Sequence, residues 1–167
     1  MIDRRTFLGA ALGLLCSPFT SLARAGQPDG ALASSPYVYV SPLRSDGNES
    51  RCHAEVWYAW LDGAVVIITA RDRWKARAVA RGLDRARIWV GDYGTWKRMI
   101  GKDESFRKGP SFVARAELVR DAALLDRLLA VYEQKYPEEI GGWRARMRNG
   151  YADGSRVLIR YRPDART

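Results

Sequence analysis

A mainly β (α+β) fold, an antiparallel barrel of six strands that is closed or partly closed and flanked by helices, is what this sequence predicts. Three observations lead there. Segments rich in β-branched and aromatic residues recur from Tyr37 to Arg162. Several are joined by short turn clusters, the pattern of an antiparallel sheet that curls on itself. The 167 residues suit one ordinary domain, and an apolar content of 47% is enough to bury a core.

The elements follow in order. Residues 1–25 open with Arg4-Arg5, continue through an apolar run from Phe7 to Leu15 and close on Ala23-Arg24-Ala25. A basic start, a short apolar stretch and a small-x-small site form a secretory signal. The arginine pair followed by Phe7-Leu8 is similar to the twin-arginine export signal, which implies a periplasmic or otherwise exported protein that meets the twin-arginine machinery already folded. Leu15 before Cys16 argues against a lipoprotein. Residues 26–35 are small and polar, and read as a flexible leader. The domain is expected over 36–162.

Tyr37-Val38-Tyr39-Val40 is the first strand. After the turn cluster 45–50, His53 to Trp60 is the second, with Val56, Tyr58 and Trp60 on one face. Asp62-Gly63 is a hairpin signal. Ala64 to Thr69 is a continuous β-branched run, which predicts a strand buried on both faces. Helical spacing returns over Arg71 to Leu83, and 86–92 is a strand. Residues 93–108 are irregular and basic, and include Trp96 and Lys108. Phe112 to Val119 alternates as a strand. Asp121 caps the clearest helix, with Leu125, Leu128, Leu129, Tyr132 and Tyr136 on one face and Pro137 as its stop. Ile140 to Arg148 is a short second helix, and Arg156 to Arg162 is the closing strand.

Composition narrows the chemistry. One histidine leaves no multi-histidine metal site and a single candidate for a serine triad. Only Cys52 remains after the signal, so no intrachain disulfide is expected. Cys52 is either a buried strand residue or a free thiol, with burial favoured. The formal charge of +9 comes from scattered basic residues. Scatter and export both argue against nucleic acid, and attraction to anionic metabolites or lipid surfaces is the better use. No apolar run reaches the roughly 20 residues of a membrane span.

The candidate chemistry lies in Ala54-Glu55-Val56-Trp57-Tyr58, Val66-Ile67-Ile68-Thr69-Ala70 and Trp74-Lys75-Ala76-Arg77. Lys75 stands at a helix start just beyond a buried strand, where a basic side chain and a hydroxyl such as Thr69 can hold a phosphate. Arg71, Arg73 and Arg77 enlarge the positive field, or else form with Lys75 the solvated face of a helix. The ordered set, with Ala114 to Val119 and the helix after it, resembles the pyridoxamine 5′-phosphate oxidase-like family of FMN-binding split barrels over roughly residues 36–162.

The resemblance implies a six-stranded split barrel, usually homodimeric, that binds FMN and acts as an oxidoreductase on a small molecule. It places His53, Val56 and Trp57 along the isoalloxazine and ribityl chain. It places Ile68, Thr69, Trp74 and Lys75 near the phosphate. Trp74 replaces the small polar residue, histidine or arginine usual before the lysine. Trp96 or Lys108 could complete a site across the dimer. Arg160-Tyr161-Arg162 stands where true pyridoxamine phosphate oxidases carry R-x-H, so that substrate is not expected. A deazaflavin cofactor is an alternative, as is a non-catalytic barrel holding flavin, another anionic ligand or haem, for which His53 is the one histidine available. A cofactor-free module with a basic face is a further alternative.

Overall fold

The computed structural model describes residues 28–94 and 104–164. The export signal expected over 1–25 and Trp96 lie outside the described residues. In chain order the elements are α1 (Pro28–Ser34), β1 (Val38–Pro42), β2 (Ala54–Val56), β3 (Ala59–Leu61), β4 (Ala64–Ala70), α2 (Trp74–Ala80) and β5 (Arg85–Val90). A short 3₁₀ turn follows (Ser105–Lys108), then β6 (Ser111–Val119), α3 (Ala122–Lys135), α4 (Ile140–Ala152) and β7 (Arg156–Pro163).

All seven strands form one antiparallel sheet in the order β2-β1-β5-β6-β7-β4-β3. The two edge strands are neighbours in sequence, separated only by Trp57 and Tyr58. A link that short spans about 10 Å. The sheet therefore has to curl until its two edges almost meet. This corrects the six-strand expectation. The segment His53 to Trp60 is not one strand, because Val56 pairs with Val38 while Ala59 pairs with Val66. The chain changes partners at Trp57-Tyr58 and keeps its alternation. Val56, Tyr58 and Trp60 face the barrel interior; Trp57, Ala59 and Leu61 face outward.

The core has two layers, and β4 divides them. Val65 and Ile67 point into the barrel with Val38, Val40, Ile88, Ile159 and Tyr161. Val66 and Ile68 point outward onto Leu124, Leu125, Leu128 and Leu129 of α3. Burial on both faces explains the unbroken β-branched run. The Asp62-Gly63 turn takes positive φ at both residues, 52° and 68°, as a two-residue hairpin of the right twist requires. Asp121 caps α3 as expected, accepting the Leu124 N–H at 3.0 Å. α2 plugs one part of the barrel through buried Ala76, whereas α3 lies against its outside.

Two local expectations change. The polar stretch over 26–35 holds a helix, α1, whose Leu32 is buried in the barrel interior. The Tyr58 hydroxyl lies 2.7 Å from the Leu32 carbonyl and 3.0 Å from that of Ser35, so a buried donor ties the helix end down. Cys52 is exposed rather than buried. It precedes β2, in a turn where the Ser50 hydroxyl meets its backbone N–H and carbonyl, both at 3.1 Å.

Candidate functional site

Closing the sheet at Trp57-Tyr58 leaves a cleft of about 420 Å³ beside the seam. That lies within the roughly 300–1,000 Å³ usual for small-molecule sites. Val56 and Trp57 at the seam, Ile68 and Thr69 at the end of β4, and Lys75 in the first turn of α2 line it. Tyr37, Glu55 and Tyr132 add polar groups. Glu139, Trp143 and Met147 enter from the α4 side, and Arg156 from the start of β7.

Two tyrosines hold the seam in place. The Tyr132 hydroxyl donates to the Trp57 carbonyl at 2.7 Å. The Tyr136 hydroxyl donates to the Pro36 carbonyl at 2.5 Å and accepts the Tyr58 N–H at 3.2 Å. Trp57 stacks on Tyr136 with ring centres 4.5 Å apart and meets Tyr132 edge-on at 5.8 Å. The Trp57 carbonyl and the Tyr58 N–H, which lie between strands, are thus satisfied from α3 and its C-cap. Burial raises the Tyr132 and Tyr136 hydroxyls well above the ordinary tyrosine range, so both stay protonated and able to donate.

Lys75 and Arg156 are the two cations that line the cleft. Lys75 is the one at the helix start. It forms no ion pair among the described residues, and its ammonium rests 4.9 Å from the centre of the Trp74 ring. Burial, with the Arg73 charge adding to it, holds its pKa below the ordinary lysine range. An unpaired, half-buried ammonium is a cost to the fold and an asset to an anion. Thr69 and Arg156 are brought close by strand pairing, since Thr69 sits opposite Val157 and Ala70 opposite Arg156. The remaining member of the polar set, Tyr37, is raised by burial and then by Glu55, Asp92 and Glu139.

Five of the seven expected residues therefore meet: Val56, Trp57, Ile68, Thr69 and Lys75. Two do not line the cleft. Trp74 packs against the barrel interior and borders a small void with Val40 and Pro42. Its part is to carry the Lys75 ammonium. His53 lies before β2 with its ring 5.0 Å from that of Phe106, and its buried Nδ1 has no hydrogen-bond partner among the described residues. Lys108 ends the 3₁₀ turn, outside the cleft lining. The sequence reading missed Tyr37, Tyr132 and Arg156 as site residues, along with the α4 contribution. Arg156 is placed there by the pairing of β7 with β4, for which the sequence carries no local signal. Among the described residues, no group of three His, Cys, Asp or Glu side chains is placed to hold a metal ion.

A second half-buried lysine lies against the seam residue Tyr58. Lys135 places its ammonium 3.4 Å from the centre of the Tyr58 ring, and burial lowers its pKa to about 8. In the unfolded chain the value returns to about 10.5. Between those values the unfolded chain binds more protons, so stability rises with pH there, and below about 8 the cost of burying the charge is fully present. Lys135→Met is expected to flatten the rise in melting temperature between pH 8 and 9.5. Thermal melts of both proteins across that range check this, and an unchanged slope would count against a buried charge.

No family model matches the chain, and no curated protein matches it by sequence. Solved structures do match. HutZ, described as the heme storage protein of Vibrio cholerae, has a TM-score of 0.55 and 13% identity over 83% of this chain and 88% of its own. A FAD-binding protein from Mesorhizobium loti has a TM-score of 0.51 and 14% identity, covering 82% and 87%. A protein from Listeria innocua described as a candidate pyridoxamine 5′-phosphate oxidase has a TM-score of 0.51 and 13% identity, covering 81% and 90%. The chain has the split-barrel fold. At these identities the likeness is one of architecture, and split barrels of this kind are described for both flavin and haem binding.

Proposed function

We propose that this split barrel binds FMN in the cleft at the seam and acts as an oxidoreductase on a small molecule. One observation carries the reading: an ammonium with no counter-ion among the described residues, Lys75, opens onto a cleft of flavin-compatible size walled by aromatic rings. Lys75 and Thr69, with Arg156 beside them, suit a phosphate, since two cations and a hydroxyl present only donors to it. Val56 and the Trp57 backbone form an apolar wall with polar main chain at its edge, as a flat heterocycle needs. Trp143, 41% exposed at the α4 side, lets a ring be covered without a rigid lid.

When bound, the flavin supplies the hydride or electron transfer. The chain's own residues orient it and set its surroundings. Tyr132 and Tyr136 fix the seam through protonated hydroxyls, and Tyr37, also held above its usual range, stays a neutral donor at the cleft wall. Glu55 is held by the Tyr39 hydroxyl at 2.7 Å and is the carboxylate best placed to take a proton in the cleft.

Haem is the second reading, raised by the described role of HutZ. The chain's single histidine packs on Phe106 outside the cleft lining, which favours flavin. Export rests on the sequence of residues 1–25, and a homodimer on the family resemblance. Both belong to the proposal.

The test is spectroscopic. The purified protein, titrated with FMN, is expected to quench flavin fluorescence saturably at one flavin per protomer, with a shifted visible spectrum. No uptake of FMN, together with a Soret band on adding haem, would reject flavin in favour of haem. A deazaflavin would declare itself by absorbance near the blue edge of the flavin band.

A further inference from the structure

Arginine supplies most of the positive charge of this chain, and many of these side chains are answered by carboxylates. Arg87 and Arg107 share Glu49, Arg115 meets Asp84, Arg127 meets Asp62, and Arg160 and Arg162 share Glu117. Even on α4, Arg144 and Arg148 bind Glu133 and Asp126 of α3. Arg71, Arg120 and Arg156 have no such partner among the described residues, and all three line one pocket of about 130 Å³.

Arg71 and Arg156 are held by their neighbours, and Arg120 lies exposed beside a ring. The Arg71 Nε donates to the Gly154 carbonyl at 2.8 Å, and its backbone N–H donates to the Ser155 carbonyl at 2.8 Å. The Arg120 guanidinium carbon lies 5.8 Å from the centre of the Tyr151 ring. The Arg156 guanidinium carbon lies 5.7 Å from that of Trp143. The Arg156 stem is laid directly on α4, because a Cβ on Gly150 would come within 2.8 Å of its Cγ and Cδ. Asp72 borders the adjoining surface with Arg71 and Arg156 but forms an ion pair with neither.

Three cations border one pocket, Arg71 and Arg120 exposed and Arg156 half-buried, and an anion between them is favoured by all three. Guanidinium forks match the spacing of phosphate oxygens and bind them two at a time. Tyr151 also lines the pocket, and Leu118, Val119 and Val157 supply an apolar flank. We propose that Arg71, Arg120 and Arg156 form a second oxyanion site, separate from Lys75, that takes a phosphoryl group. Arg156 also lines the large cleft, so an occupant of this pocket lies next to whatever fills the cleft. The proposal stands on this pocket alone and does not require the flavin.

The experiment titrates inorganic phosphate into the ¹⁵N-labelled protein at constant ionic strength. Saturable shifts are expected at Arg71, Arg120, Tyr151 and Arg156. The R71Q/R120Q variant is expected to lose about tenfold in phosphate affinity or more, and Arg77→Gln, at an exposed arginine that lines neither pocket, to leave it unchanged. R120Q alone, which touches no backbone bond, covers the case in which the double variant fails to fold. Shifts confined to Thr69 and Lys75, non-saturating shifts, or R120Q binding phosphate as the parent does would overturn the assignment. Glycerol 3-phosphate in a parallel titration separates two sources of the same chemistry. Tighter binding than phosphate identifies the phosphoryl end of an organic ligand, and equal or weaker binding identifies the free ion. Loss of phosphate binding in R71Q/R120Q with FMN binding intact would keep the two sites, and the two proposals, apart.

Discussion

Tyr136→Ala is expected to destabilise the fold by about 3–5 kcal/mol, the usual cost of deleting a buried aromatic ring. The ring is buried between Trp57, Tyr37 and Tyr132. Removing it opens a void at the point where the sheet closes. The hydroxyl's loss adds to this, since the Tyr58 N–H and the Pro36 carbonyl both lose their partner. For a domain whose whole stability is about 5–15 kcal/mol, that is a large share. Tyr136→Phe separates the two parts. It keeps the stack and leaves the buried Tyr58 N–H orphaned, at about 1–3 kcal/mol. Denaturant midpoints with an unchanged m-value check both figures. If Tyr136→Ala costs no more than an exposed tyrosine would, the seam is not held as described.

The seam also shows what the sequence could and could not tell. The helix Ala122–Lys135 was legible because Leu125, Leu128, Leu129 and Tyr132 recur on one face and all are buried. The strand Ala64–Ala70 was legible because both of its faces are apolar, and the turn after β3 because Asp-Gly suits positive φ at both positions. The break in 53–60 was not legible. Its alternation runs straight through Trp57-Tyr58, and only the pairing partners change. Partner identity is a long-range property with no local signal.

The same distinction governs the site. Val56, Trp57, Ile68, Thr69 and Lys75 come from three segments close in sequence, and they meet. His53 stands one residue before β2, but long-range packing on Phe106 turns it elsewhere. Trp74 and Lys75 are adjacent in sequence yet point about a third of a turn apart on the helix, so one serves the core and the other the cleft. Arg156 reaches the cleft only because the last strand pairs with β4. Leu32 was lost in a polar stretch because a single apolar residue makes no period, and its burial depends on a barrel end that the local sequence does not reveal.

Lys75→Ala is expected to move affinity and stability in opposite directions. FMN binding should weaken by about 2–4 kcal/mol, or roughly 30- to 1,000-fold, as when one member of a desolvated charge pair is truncated. The apo protein, in contrast, should be as stable as the parent or slightly more so. Its lysine carries a charge that burial and Arg73 disfavour, and it has no carboxylate among the described residues to offset this. The sign with pH follows from the same shift. A lysine whose folded pKa lies below its unfolded value destabilises the fold most at low pH, and the penalty fades as pH rises through the folded value. FMN needs the opposite, a charged ammonium, so affinity should fall over the same rise. Lys75→Met tests the charge while keeping much of the stem's packing, and Lys75→Arg should recover part of the affinity. Fluorescence titrations across pH, paired with melts of the apo variants, read both quantities. A variant that lost stability and kept its flavin would make Lys75 a structural residue, and the phosphate would have to be sought elsewhere in the cleft.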